Sequence, residues 1–487
     1  MRTFQNLLKL TLIAGFSLSL LACGSSAEEV SPVEVPVPAP APTPDPTPDP
    51  MPDPTPDPTP DPTPDPTPDP TPDPTPDPDP TPDPPPPSPE GQVLFEEDIA
   101  KDIRQSIPTD ANIPLGIQAT VDVEYLGAFR ALAGGESSSN YAVGTLGHNP
   151  DNNSLFLAGH GHENAIAEFE IPNEFSLSVN PSEVVLANVF QDYVTVLDKR
   201  DSGQQTNKIN GLLYFNENLL VTSEIWYDGN GDNKDNLQVF SKANDINSSS
   251  YIGMLQLKGA AHSAGYMSRV PEELVNTVGG KYIAGWASNN GITSRYSQGP
   301  SMYVINPQEI IDVTPTVNRE VETTALMNFP FENGKTLVHN GDKYLDKISP
   351  IWGPIANVKY GFIVPGTSLF MALGSNAGLH SGIGYKITQD SGRVCPGPCP
   401  VETADVYNYF WLFDINDIVN AENPWDARPI SYGKWSHPYD AAGTNKLIGA
   451  TYDAYTNRLY ISLQGAGRVG AYDRPPMIIV YNIKAKI

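Results

Sequence analysis

The stretch SLFLAGHGHENAIAEFEIP (residues 154–172) sets two apolar runs around a turn rich in glycine and histidine. Runs this short are strand-length rather than helix-length, and the glycines between them mark a hairpin. The pattern recurs: NSLFLAGHGH begins at Asn153, NLLVTSEIWYDGNG at Asn218, TSLFMALGSNAG at Thr367 and NRLYISLQGAG at Asn457, with a further unit at KYIAGW from Lys281. Each leads on to another apolar run, and these end alike: AEFEIPNEF, LQVFSKANDI, SMYVINPQEI, YFWLFDINDI and MIIVYNI. A shorter apolar run often comes first, as in NGLLYF and LIGATYDAYTN. Run, turn, strand, turn, strand is the unit of a propeller blade, and the uneven spacing implies insertions. The strand-rich piece ATVDVEYLGAF is expected to pair with MIIVYNI and close the ring, which removes exposed edges. The prediction for residues 91–487 is an all-β domain, a β-propeller of about five to seven blades with insertions. Helical periodicity is confined to EDIAKDIRQSI (97–107) and PEELVNTVGG (271–280).

The chain begins differently. Arg2 and Lys9 precede or flank an apolar run that ends at Leu21, too short to span a bilayer and right for a secretion signal. The run closes on Leu20-Leu21-Ala22-Cys23, which resembles the lipobox of bacterial lipoproteins. That resemblance implies cleavage after residue 22 and acylation of Cys23, with palmitate-like chains giving a stable membrane anchor. Gly24 stands where a retention aspartate would be, so the same resemblance implies the outer membrane. Residues 23–90 are the lipidated N-terminus and linker; from Ser31 to Glu90 they are essentially proline, threonine and aspartate, with Pro-Thr-Pro-Asp repeated, nearly unbroken, from Pro42 to Asp83. Such a segment cannot bury enough apolar surface to offset ordering, and its prolines enforce an extended polyproline II path. At ~3.1 Å per residue it would reach on the order of 180 Å, a disordered stalk.

The formal charge of −28 is partly the stalk's. Residues 1–90 hold Arg2 and Lys9 against fifteen acids, a net −13, which leaves −15 on residues 91–487. An acidic domain argues against nucleic acid and anionic lipid as partners. Besides Cys23 the cysteines are Cys395 and Cys399, in VCPGPCP. In an oxidising compartment this spacing reads as a local disulfide; zinc would need two more ligands.

The segment HSAGYMSRVPEELVNTVGGKYIAGWASNNGITSRYSQGPSMYVINP (262–307) resembles an uncharacterised family of exported bacterial propeller-like proteins. NPWDARPISYGKW and the closing ATYDAYTNRLYISLQG and MIIVYNI are similar to that family's last part. The resemblance implies the architecture and no activity.

Several residues are candidates for chemistry. His160, His162 and Glu163 offer two or three donors to a metal or ligand, which a residue of another blade such as His262, His339 or His380 would complete. The bland alternative is a polar hairpin tip. Asp228, Asn230 and Asp232 alternate as calcium-loop oxygens do, and calcium is the one cofactor suggested. An EF-hand would need Gly at 233 and Glu at 239, where Asn233 and Val239 stand, so the choice is a looser cation loop or a plain turn. There is no nucleophile elbow, phosphate loop or dinucleotide fingerprint. Channel carboxylates for a glycosidase could come from Asp122, Glu163, Glu224 or Asp453. Arg295 suits a carboxylate or sugar acid, or packs over an aromatic ring. Trp226 and Trp286 read as core packing rather than sugar stacking.

The expectation is an outer-membrane-anchored lipoprotein, facing the periplasm or the outside, that presents a propeller to a glycan or envelope protein. It is a binder rather than an enzyme. The alternative is a polysaccharide-active glycosidase or lyase.

Overall fold

The computed structural model describes residues 113–486 except 198–205, 289–294, 313–318, 333, 339–348 and 441–444. The expected anchor, the stalk, the 97–107 helix and His339 lie outside the described residues.

The strands form five antiparallel blades. Blade 1 runs from its innermost strand outward as Leu146–Asn149, Ser154–Ala158, Ala165–Glu170 and Val189–Thr195. Blade 2 is Lys208–Phe215, Asn218–Glu224, Leu237–Phe240 and Tyr251–Leu257, with Arg319–Val321 added in parallel at its outer edge. Blade 3 is Tyr266–Arg269, Tyr282–Gly285, Met302–Ile305 and Thr324–Met327. Blade 4 is Asn357–Ile363, Leu369–Ala377, Val406–Asp414 and Ser431–Lys434, with the two-residue strand Ala287–Ser288 from the blade 3 loop paired to the start of Asn357–Ile363. Blade 5 is Leu447–Asp453, Arg458–Leu463 and Met477–Ala485, completed by Val121–Arg130 from the other end of the domain. Each innermost strand packs against the next, and blade 5's against blade 1's, so the ring is closed. Val121 pairs with Ala485 and Arg130 with Met477, which is the expected closure.

The recurring stretches are the second strands of the five blades, and the runs with similar endings are the third strands. Those endings have a local cause. In blade 3 the strand stops at Asn306, whose side chain accepts hydrogen bonds from the Gln308 and Glu309 amides and starts the helix Pro307–Ile311. In blade 4 Asp414 accepts from the Asn416 amide and starts Ile415–Asn420. Both are N-caps, with proline at the first helical position of one. The 271–280 helix is present as a 3-10 turn, Glu272–Leu274, running into Val275–Val278 and stopped by Gly279 at φ +86°.

Blades bury both faces against their neighbours, so central strands are apolar throughout: all nine residues of Leu369–Ala377 are buried. Phe129 belongs to the closing strand of blade 5 yet packs with Leu155, Leu157 and Phe169 of blade 1. The same strand that completes one blade therefore seals the seam to the next.

Candidate functional site

The loops joining second to third strands hold nearly every candidate. The His160 turn is that loop in blade 1, the Asp228 loop in blade 2, Arg295 in blade 3, and His380 with the cysteines in blade 4. Lys359 of blade 4 stacks on Trp286 at the end of blade 3's second strand, which places these loop ends at one mouth of the channel.

That mouth opens into a cavity of about 640 Å³. Four cationic side chains line it: Lys208, Lys359, Arg393 and Lys446. No aspartate or glutamate is among its described lining residues. Three of the cations stand where innermost strands begin: Lys208 is the first residue of blade 2's, Lys446 directly precedes blade 5's, and Lys359 is third in blade 4's. Arg393 comes from the blade 4 insertion, closed by the Cys395–Cys399 disulfide; Cys399 lines the same cavity.

β-Bulges shape this mouth. The register slips at Asn210 in blade 2, at Lys359 in blade 4 and at Ile448 in blade 5. A bulge inserts one residue and re-aims its side chain, and such bulges cluster beside active sites. Here the inserted residue of blade 4 is the lysine itself.

The electrostatics are unusual for a lysine cluster. Burial holds the Lys359 ammonium well below the ordinary lysine range, and repulsion by Lys208 and Lys446 adds to this; Glu224 opposes it. Burial, then Arg393, also lowers Lys446. Glu224 is the cross-strand neighbour of Lys208, and its carboxyl is raised by burial against the pull of Lys208. The Asn210 amide and Tyr296 hydroxyl lie beside Glu224, but no hydrogen bond of good geometry reaches its buried Oε2. The Lys359 Nζ lies 4.5 Å from the Trp286 ring centre.

Tyr141, Trp226, Tyr227 and Tyr385 stand around this cluster, each about half exposed or more. Trp226 therefore departs from the packing role read for it, whereas Trp286 is 1% exposed and follows it.

The other candidates are occupied locally. His160 Nδ1 is 2.8 Å from Glu163 Oε2, His162 stacks on His160, and Ser137 Oγ donates to Glu163. Val143, whose amide donates to the Gly159 carbonyl at the base of this tip, lines the cavity, so the tip borders it. The Asp228 carboxylate accepts from the amides of Gly231, Asp232 and Asn233, which winds its loop into a turn that Asn230 tops. Arg295 lies flat on that loop: a Cβ on Gly231 (φ +70°) would fall 1.8 Å from Arg295 Cζ. The His380 and Ser381 amides donate to Asp405, and burial of that carboxyl is outweighed by its hydrogen bonds from Tyr407 and Ser381, which hold it low. Among the described residues no group of three His, Cys, Asp or Glu side chains is placed to hold a metal ion. Of the carboxylates considered for hydrolysis, Asp122 is on the outermost strand of blade 5 and Asp453 ends its innermost strand, 3.8 Å from His148. Glu224 alone sits within the basic cluster.

The cationic residues escaped the sequence reading because the three lysines stand singly in three different blades and Arg393 lies in a loop insertion. A signal existed: Thr206-Asn207-Lys208-Ile209 and Thr444-Asn445-Lys446-Leu447 repeat at the entrances of two innermost strands.

No protein-family model and no curated protein matches the chain. Among solved structures, a member of the DUF4221 family from Bacteroides vulgatus aligns over 76% of this chain and 100% of its own, at 10% identity and a TM-score of 0.33. The WD40 repeats of RRP9 align over 74% and 100%, at 11% identity and a TM-score of 0.28.

Proposed function

We propose that this chain is an outer-membrane lipoprotein that holds its propeller out on a polyproline stalk and binds an anionic glycan in the channel-mouth cup. One observation carries the reading: four cations converge on a cavity without a lining acid, in a domain whose formal charge is −15. Burying like charges together is unfavourable, and the one carboxyl beside these four basic side chains, Glu224, is itself raised by burial, so an anion in the cup would relieve the repulsion. The exposed aromatic rim suits the apolar faces of sugar rings. A glycosidase would instead need two carboxyls ~5–10 Å apart in the pocket, and the lining supplies none.

The test is thermal stabilisation of the full chain in detergent by polygalacturonate, alginate and heparin, against dextran and amylose. A Tm rise with the acidic polymers alone, reversed by salt, supports the reading. Equal responses to neutral and acidic polymers, or none, sink it. The anchor is checked separately by incorporation of labelled palmitate into wild type and into Cys23→Ser; label in both would exclude Cys23 as the acylated residue.

A further inference from the structure

We propose that the cup also cleaves its ligand, with Lys359 as the base of a β-elimination on a uronate-containing polysaccharide while Lys208, Lys446 and Arg393 hold the sugar carboxylate. This rests on the anionic-glycan reading and deepens it.

A glycosidic bond to a uronate can be broken in two ways. Hydrolysis needs a pair of carboxyl groups. Elimination needs cations on the substrate carboxylate, which make the adjacent C5 proton acidic, and one base beside that carbon. The cup has the second set of parts. Its lining offers three cations, Lys208, Lys446 and Arg393, the desolvated Lys359 amine, and no acid. Lys359 is the bulged residue of its strand, so its amine is turned out of the regular pleat at the cavity wall. The Trp286 ring beneath it restricts where the amine can go. Its charged and titratable neighbours are Lys208, Lys446 and Glu224, two of them like charges. A lysine desolvated beside other cations is the usual way a protein obtains a neutral amine near neutral pH.

The step balances without a co-reactant. The neutral Lys359 Nζ takes the C5 proton and becomes an ammonium. The C5–H electron pair forms the C4–C5 double bond as the C4–O4 bond breaks. The departing O4 takes the proton from Nζ, which restores the amine. The products are a chain with a new hydroxyl terminus and one with an unsaturated uronate at its end.

The experiment uses the full chain with polygalacturonate, alginate and hyaluronan. Binding is followed by calorimetry and cleavage by the ultraviolet absorbance of the unsaturated uronate. Wild type should generate that absorbance on a polymer it binds. Lys359→Met and Lys359→Arg should each lose about 100-fold or more in rate. The arginine variant carries a positive charge where the wild-type amine is neutral, so its affinity should equal or exceed wild type. Its rate loss then separates a base from a mere anion contact. The wild-type rate should also rise with pH to a plateau below the range of an ordinary lysine. Binding with no unsaturated product, or a Lys359→Arg rate close to wild type, overturns the elimination and leaves the binding reading intact. No binding to any of the three polymers overturns both.

Discussion

The Lys359 ammonium sits 4.5 Å above the Trp286 ring, one residue on blade 4 and the other at the end of a strand of blade 3. The contact favours the charged amine, while burial and two neighbouring lysines favour the neutral one, and the second set prevails. Its consequence for stability has a definite sign. The folded state releases this proton at a lower pH than the unfolded chain, whose lysines titrate near 10.5. Between the two values the unfolded state binds more protons, so wild-type stability gains with rising pH. Lys359→Met lacks that dependence. Its Tm at pH 7 should match or exceed wild type, and wild type should gain on it as pH rises to about 10. Parallel Tm profiles for the two proteins would mean that the amine titrates normally.

The remaining cations should act on affinity. Lys208→Ala, Lys446→Ala and Arg393→Ala each remove one charged contact to an anionic ligand. A hydrogen bond to a charged group contributes about 1.5–3 kcal/mol, or roughly a 10- to 150-fold change in Kd. Arg393 is solvent-exposed, so it should fall at the low end of this range and lose most with salt. Calorimetry with oligogalacturonate at low and high ionic strength checks both points. Three variants with unchanged Kd would place the ligand elsewhere.

His437 predicts an acid limit to stability. It is buried just after blade 4's last strand, with Nδ1 3.1 Å from the Tyr481 hydroxyl, and burial pushes its pKa down to about 3. The folded value lies below the unfolded value of 6.5, so the unfolded chain takes up the proton first. Stability is constant on this account above pH 6.5 and falls from there toward pH 3. The loss between pH 6.5 and 5 should be on the order of 2 kcal/mol. The raised Glu224 carboxyl is common to both proteins, so the difference between wild type and a His437 variant isolates the imidazole. Urea midpoints of wild type and His437→Gln across it should converge as pH falls; a constant gap would contradict the assignment.

The fold was readable because its signals repeat. A buried second strand such as Leu369–Ala377 reads as one apolar run, and each third strand stops on a residue such as Asn306 or Asp414 that caps the next turn. Five such units counted along the chain are five blades in space. The five-to-seven range narrows because ATVDVEYLGAF adds no blade and completes the last one. The cup was not readable. Lys208 and Lys359 are 151 residues apart and Lys359 and Lys446 are 87 apart, and nothing local marks them as neighbours. Ring closure creates their proximity, and the bulge at Lys359 has no periodic signature. Conversely, the motifs that looked chemical, His160 with Glu163 and the Asp228 loop, show hydrogen bonds that shape their own turns.

The closing strand should be the point of greatest sensitivity. Phe129 is 1% exposed, lies on the strand paired with Met477–Ala485, and stacks on Phe175 at 6.0 Å between ring centres. It belongs to one core cluster with side chains of blades 5 and 1, among them Ile478 and Leu155. Phe129→Ala leaves a cavity at the seam and removes contacts on both sides of it. The expected cost is about 3–5 kcal/mol, the range for deleting a buried ring. A truncation that starts at residue 131 removes the strand itself and should leave no cooperative transition, because blade 5 then exposes the Met477–Ala485 edge. Denaturant unfolding followed by tryptophan fluorescence reads both. A loss below about 1 kcal/mol for Phe129→Ala would mean the seam is held without this strand.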